Sequence, residues 1–144
     1  MQIRTVFITG AGSGIGAAAA RRFHAEGWFV GLYDLNVASV AELAAELGDN
    51  CCHGELDVCN RAAVDAAVAD FAAHTSGRFD ALINNAGIFK DEAIVETDPA
   101  YLKLMMDVNM GGVVNCLLAA YPHLKATPDS HLVNIASTAA IYGA

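Results

Sequence analysis

Two rhythms alternate along this chain: short unbroken apolar runs, and longer stretches in which apolar residues return every three or four positions. The first suits strands buried on both faces, and the second suits helices with one inward face. Residues 3–8 form the first expected strand. A helix runs from Gly14 to Glu26 on Ile15, Ala18, Ala19 and Phe23, and Gly27 stops it. Residues 28–33 are the second strand, and Asn36 caps a helix to Leu47 with Val40, Leu43, Ala44 and Leu47 inward. A third strand covers 51–56, followed by a helix that Asn60 caps and whose Val64, Ala67, Val68 and Phe71 face the core. Ser76-Gly77 closes it, and residues 80–83 are the fourth strand.

Beyond Gly87 an acidic segment with Asp91, Glu92, Glu96 and Asp98 predicts a surface loop, and Asp98-Pro99 starts another helix. Its stripe, Leu102, Met106, Met110, Val113, Val114, Leu117 and Leu118, continues to about Leu124 as one bent helix, with Gly111-Gly112 marking close packing or the bend. A turn at Thr127-Pro128-Asp129 leads to a fifth strand at 131–135, and residues 137–144 read as loop. Strands alternating with helices define an α/β protein with a parallel sheet, and 144 residues make about one domain, 1–144.

Composition narrows the partners. Apolar residues make up 55% of the chain, and sixteen Asp and Glu against eight Lys and Arg give a net charge of −8, so a nucleic-acid partner is not expected. The longest uncharged run, Val108 to Leu124, falls short of the roughly 20 apolar residues of a membrane span, so no membrane partner is expected either. Arg4, VFITG and Ala17 to Ala20 mimic a signal peptide, but Gly10, Gly12, Gly14 and Gly16 break the apolar stretch. Cys51, Cys52, Cys59 and Cys116 form no CxxC pair, which fits reduced thiols in the cytoplasm and no metal site; Cys51 and Cys52 would point to opposite faces of a strand.

The first strand enters TGAGSGIG, residues 9–16, and then a helix, so backbone amides and a helix N-terminus can face a diphosphate. The candidates there are Gly10, Gly12, Ser13, Gly14, Ile15 and Gly16, although Ile15 departs from GxGxxG counted from Gly10. Asp34 ends the second strand 24 residues after Gly10, where a carboxylate can accept from an adenosine ribose. A 2′-phosphate beside Asp34 would be repelled, and neither Ser13 nor Leu35 supplies a cation, so NAD is expected over NADP.

With these residues, Asp57-Val58, Asn84-Asn85-Ala86-Gly87, Asn109 and Asn134-Ile135-Ala136-Ser137, the chain resembles the short-chain dehydrogenase/reductase family over essentially its whole length. The resemblance implies a Rossmann-type doubly wound sheet in three α/β/α layers, truncated after the fifth strand. It implies that Asp57 and Val58 meet adenine, that Asn84, Ala86 and Gly87 line the ribose region, and that Asn85 braces the sheet. Ser137 would hydrogen-bond a carbonyl or alcohol substrate, and Asn109 would hold a water in a proton relay. A complete enzyme of this kind would be a homodimer or homotetramer.

The family's Tyr-x-x-x-Lys, which gives or takes the substrate proton, is not found before Ala144; Tyr142 is too close to Ser137 and no lysine follows it. The expectation is an N-terminal part of a longer dehydrogenase, inactive by itself. A non-catalytic nucleotide-binding or regulatory module, and an NAD-using lyase or epimerase, are the other readings.

Overall fold

A computed structural model describes residues 2–93 and 95–142. Its strands are β1 (Thr5–Thr9), β2 (Phe29–Asp34), β3 (Cys51–Glu55), β4 (Ala81–Asn84) and β5 (His131–Asn134), all parallel, in the order β3-β2-β1-β4-β5. Between them run α1 (Gly14–Ala25), α2 (Val37–Leu47), α3 (Arg61–Thr75), α4 (Pro99–Met106) and α5 (Gly112–Ala126), and α6 (Ala139–Tyr142) follows β5. This is the expected doubly wound fold. The segment expected as loop after Ser137 contains the single turn α6, and its last two residues, 143 and 144, lie outside the described residues.

Strand alternation sends neighbouring side chains to opposite layers. Val6, Ile8, Val30, Leu32, Ala81 and Ile83 pack under α1 and α2, whereas Phe7, Tyr33, Cys52 and Leu82 pack under α3 and α5. The second layer is aromatic: Phe7 stacks on Tyr33 with centroids 4.4 Å apart, and Phe71 meets Phe7 and Phe79 edge-on at 5.4 and 4.7 Å. At the start of the sheet Asp80 is buried, accepts from Thr5 N–H at 2.8 Å and pairs with Arg78, tying β4 to β1.

Two helices turn differently from their apolar patterns. In α1 the buried positions are Gly16, Ala17 and Ala20, while Ile15 is 64% exposed and Ala18 is also outside. The helix lies so close to β1 that only small residues fit beneath it. A Cβ on Gly16 would stand 2.1 Å from the Gly10 carbonyl oxygen. The long helix expected to bend here carries a π-helical turn, Asp107–Gly111, between α4 and α5. That turn adds a residue to the local period, so the inward face of α5 is Gly112, Cys116, Ala120 and Leu124. Met106, Met110, Val114, Leu118 and Tyr121 face outward. Pro99–Ala126 as a whole is long and apolar enough to cross a membrane by length and composition, more than the uncharged run indicated; here α5 lies along β4 and α3.

Candidate nucleotide site

The strand order reverses between β1 and β4, and in open parallel sheets the crevice beyond the strands' carboxyl ends at such a point is where ligands bind. A cleft of about 570 Å³ opens there. Its walls are the β1–α1 turn (Gly10, Ser13, Gly14, Ile15), the end of β2 (Asp34, Leu35, Asn36), the segment after β3 (Leu56, Asp57, Val58) and the segment after β4 (Asn85, Ala86, Gly87, Ile88), with Val108. Its charged lining residues are Asp34 and Asp57, both carboxylates.

The turn is assembled by a small set of bonds. Thr9, fully buried, accepts from the N–H groups of Asn85 and Ala86 at 3.1 Å each, and Asn85 Nδ2 donates to the carbonyls of Thr9 and Gly10 at 3.2 and 3.0 Å. Asn85 thus braces β1 to β4 while also lining the cleft. Asp34 locks the other side: Oδ2 accepts from Gly12 N–H at 2.9 Å and Oδ1 from Asn36 N–H at 2.9 Å. Each oxygen keeps a lone pair for a further donor.

The helix ends around the cleft are unequal. Asn36 and Asn60 accept from Ser39 and Ala63 N–H to cap α2 and α3, whereas Ser13 makes no such bond to α1 and its first turn holds no acidic residue. The first amides of α1 therefore lack a side-chain acceptor where the cleft opens, the arrangement that attracts an anion. Gly14 has φ of +51°, and a Cβ there would meet nothing within 4 Å, so its open side is the cleft.

Not every expected residue reaches this space. Gly12 and Gly16 shape the turn from behind it: a Cβ on Gly12 would press on Asp34 and Ser39 at 3.0 Å. Asn84 turns away from the cleft, because β4 alternation buries it and its Nδ2 donates to Asn134 Oδ1 at 3.0 Å. Asn109 bonds to the Ile88 peptide, accepting from its N–H at 2.8 Å and donating to its carbonyl at 2.9 Å, which leaves one amide hydrogen and one oxygen lone pair for a further partner. Ser137 is exposed after β5, accepts from Ala139 N–H at 3.2 Å and lies outside the cleft lining.

Of the other supporting residues, Gly112 packs closely as its Gly-Gly pair predicts, and the rest carry no motif signal. Asn115 Nδ2 donates to the Val58 carbonyl at 2.9 Å, and a Cβ on Gly112 would stand 2.5 Å from Val58 Cγ2, so α5 positions the Val58 wall of the cleft directly. Leu56 and Ile88 enter the lining only through their place after strand ends.

Fold and cleft together define an α/β protein of the doubly wound class, with its cleft at the reversal of strand order. The family model described as short chain dehydrogenase matches residues 4–144. The chain belongs to the short-chain dehydrogenase/reductase family. It is 38% identical over 141 residues to meso-2,3-butanediol dehydrogenase of Serratia marcescens, covering 97% of this chain and 55% of that protein. It is 35% identical over 140 residues to the NADP-dependent 3-hydroxy acid dehydrogenase YdfG of Shigella flexneri, covering 93% and 54%. The crystal structure of 3-ketoacyl-(acyl-carrier-protein) reductase from Brucella melitensis complexed with NADH superposes with a TM-score of 0.92 at 33% identity, covering 98% of this chain and 60% of that one. The chain therefore spans little more than half the length of these relatives.

Proposed function

We propose that these residues form the NAD-binding part of an oxidoreductase that interconverts a small carbonyl compound and its alcohol. The observation carrying this reading is the cleft across the β1/β4 reversal, with the uncapped start of α1 on one wall and Asp34 on the next. Bound there, NAD supplies the hydride acceptor. The amides of Ser13, Gly14 and Ile15 donate to its diphosphate, with Gly10 at the bend and Gly12 and Gly16 holding the turn's shape. Asp34 accepts from both hydroxyls of the adenosine ribose, Leu35 covers that sugar, and Asp57 and Val58 border the adenine. Ala86 and Gly87 line the nicotinamide-side ribose.

NAD is proposed over NADP because the lining carboxylates repel a 2′-phosphate and no cation stands among the lining residues. Ser137 is proposed to donate to the substrate oxygen after turning away from Ala139. Asn109 is proposed to hold Ile88, and hence Gly87, in place and to keep the water of a proton relay with its remaining amide group. The complete enzyme is proposed to be a cytoplasmic homodimer or homotetramer without nucleic-acid or membrane partners, and Met106, Met110, Val114, Leu118 and Tyr121 supply an outward apolar stripe for subunit contact.

The test is amide NMR of the 144-residue chain with NADH. Shifts concentrated at Gly10–Gly16, Asp34–Asn36 and Asn85–Ile88 are expected, together with no NADH oxidation when carbonyl substrates are added. Shifts elsewhere, or none from a folded sample, would refute the site; turnover by this chain alone would refute the assignment of proton transfer to a Tyr-Lys pair outside it.

A further inference from the structure

A second group of reactive side chains lies away from the cleft, where α3 crosses the beginning of β3. Asp70 and His74 sit one helical turn apart on α3, and Cys52 rises from β3 beneath them. One ligand atom from each, Cys52 Sγ, an Asp70 oxygen and a His74 ring nitrogen, lies within 4.8 Å of the other two. We propose that Cys52, Asp70 and His74 bind a thiophilic divalent cation of the zinc and cobalt class, fastening α3 to the edge strand β3.

The local geometry suits a shared metal as well as an i,i+4 ion pair. His74 Nε2 stands 3.8 Å from Asp70 Oδ1, beyond hydrogen-bond reach, while the ring stacks on Phe29 with centroids 6.0 Å apart, which holds its plane. Tyr33 donates to Asp70 Oδ2 at 2.8 Å and so leaves Oδ1 as the ligand oxygen. An outer hydrogen bond of that kind is how ligating carboxylates are oriented. A tetrahedral zinc with bonds of about 2.0–2.3 Å sets its ligand atoms about 3.3–3.6 Å apart. Small rotations of the half-exposed Asp70 and His74 side chains close the difference. One sulfur, one nitrogen and one oxygen select a borderline metal over magnesium or calcium, with water in the fourth position. On binding, the Cys52 thiol loses its proton to solvent and its sulfur donates to the metal, with no change of oxidation state.

Cobalt(II) titrated into the reduced chain without nucleotide tests this. The expected result is one equivalent bound with an intense thiolate-to-cobalt charge-transfer band, displaced by zinc, and an unfolding midpoint raised by zinc. His74→Ala and Asp70→Asn, which alter half-exposed groups and should leave the far-ultraviolet circular dichroism unchanged, should each weaken cobalt binding about tenfold or more and remove the zinc-induced shift. Cys51→Ser and Cys59→Ser should leave both intact. The proposal is overturned if the chain takes up no cobalt, or if the band survives both α3 substitutions unchanged.

Discussion

β3 and β5 occupy opposite edges of one parallel sheet, yet their surroundings differ sharply. β3 lies between α2 and α3, with Cys51 and Cys52 packed into the two layers and Leu56 buried just beyond. All four residues of β5 are exposed, including Leu132 and Val133 at 41% each, although its sequence has the apolar run of a strand covered on both faces. The cleft draws its walls from β1 to β4, whereas Ser137 follows the bare strand. The proposed nucleotide site therefore rests on packed scaffold, and the proposed chemistry rests on the exposed edge.

The contrast is sharpest in stability. Phe71→Ala should cost about 3–5 kcal/mol, because it empties the aromatic layer between Phe7 and Phe79; urea unfolding measures it. Gly16→Ala should cost about 1–3 kcal/mol by forcing α1 off the Gly10 carbonyl, and NADH binding should weaken with it in a fluorescence titration.

Burial also pushes the Cys116 thiol up to about 12 from an ordinary 9.0, with Arg61 opposing slightly. Its folded pKa is raised, so its contribution is complete below pH 9 and declines as pH rises from there toward 12. The slope is at most about 1.4 kcal/mol per pH unit, and Cys116→Ala should flatten the alkaline fall in unfolding free energy. The smallest effect is expected at the bare edge, where Leu132→Ala should change stability by less than about 0.5 kcal/mol. A large loss there would show that β5 is covered in solution and break the comparison.

The order of strands and helices was legible because each unbroken apolar run is a strand, buried in β1, β2 and β4 though bare in β5, and because Asn36, Asn60, Gly27 and Gly48 stand at helix ends as their positions predict. The inward faces of α1 and α5 were not. A hydrophobicity pattern rewards Ile15, Met110 and Val114, but a helix close to a sheet buries Gly16, Ala17, Gly112, Cys116 and Ala120, and the π-helical turn shifts the phase between α4 and α5. Of the cleft lining, Gly10, Asp34, Asp57 and Gly87 were readable because each stands at or just beyond a strand end. The commitments of Asn84 to Asn134 and of Asn109 to Ile88 depend on partners 50 and 21 residues away, which local spacing does not encode.

The central claim is that the packed half of the sheet holds a dinucleotide with Asp34 on its unphosphorylated ribose. Calorimetric titration of the reduced 144-residue chain with NAD and then NADP tests it most directly, with Asp34→Asn alongside. Loss of a charged hydrogen bond is worth about 1.5–3 kcal/mol, so the variant should bind NAD about 10- to 100-fold more weakly. The account predicts one NAD site in the unaltered chain and NADP weaker by about tenfold or more. Equal affinity for the two cofactors, or no heat from a folded chain with NAD, would contradict it.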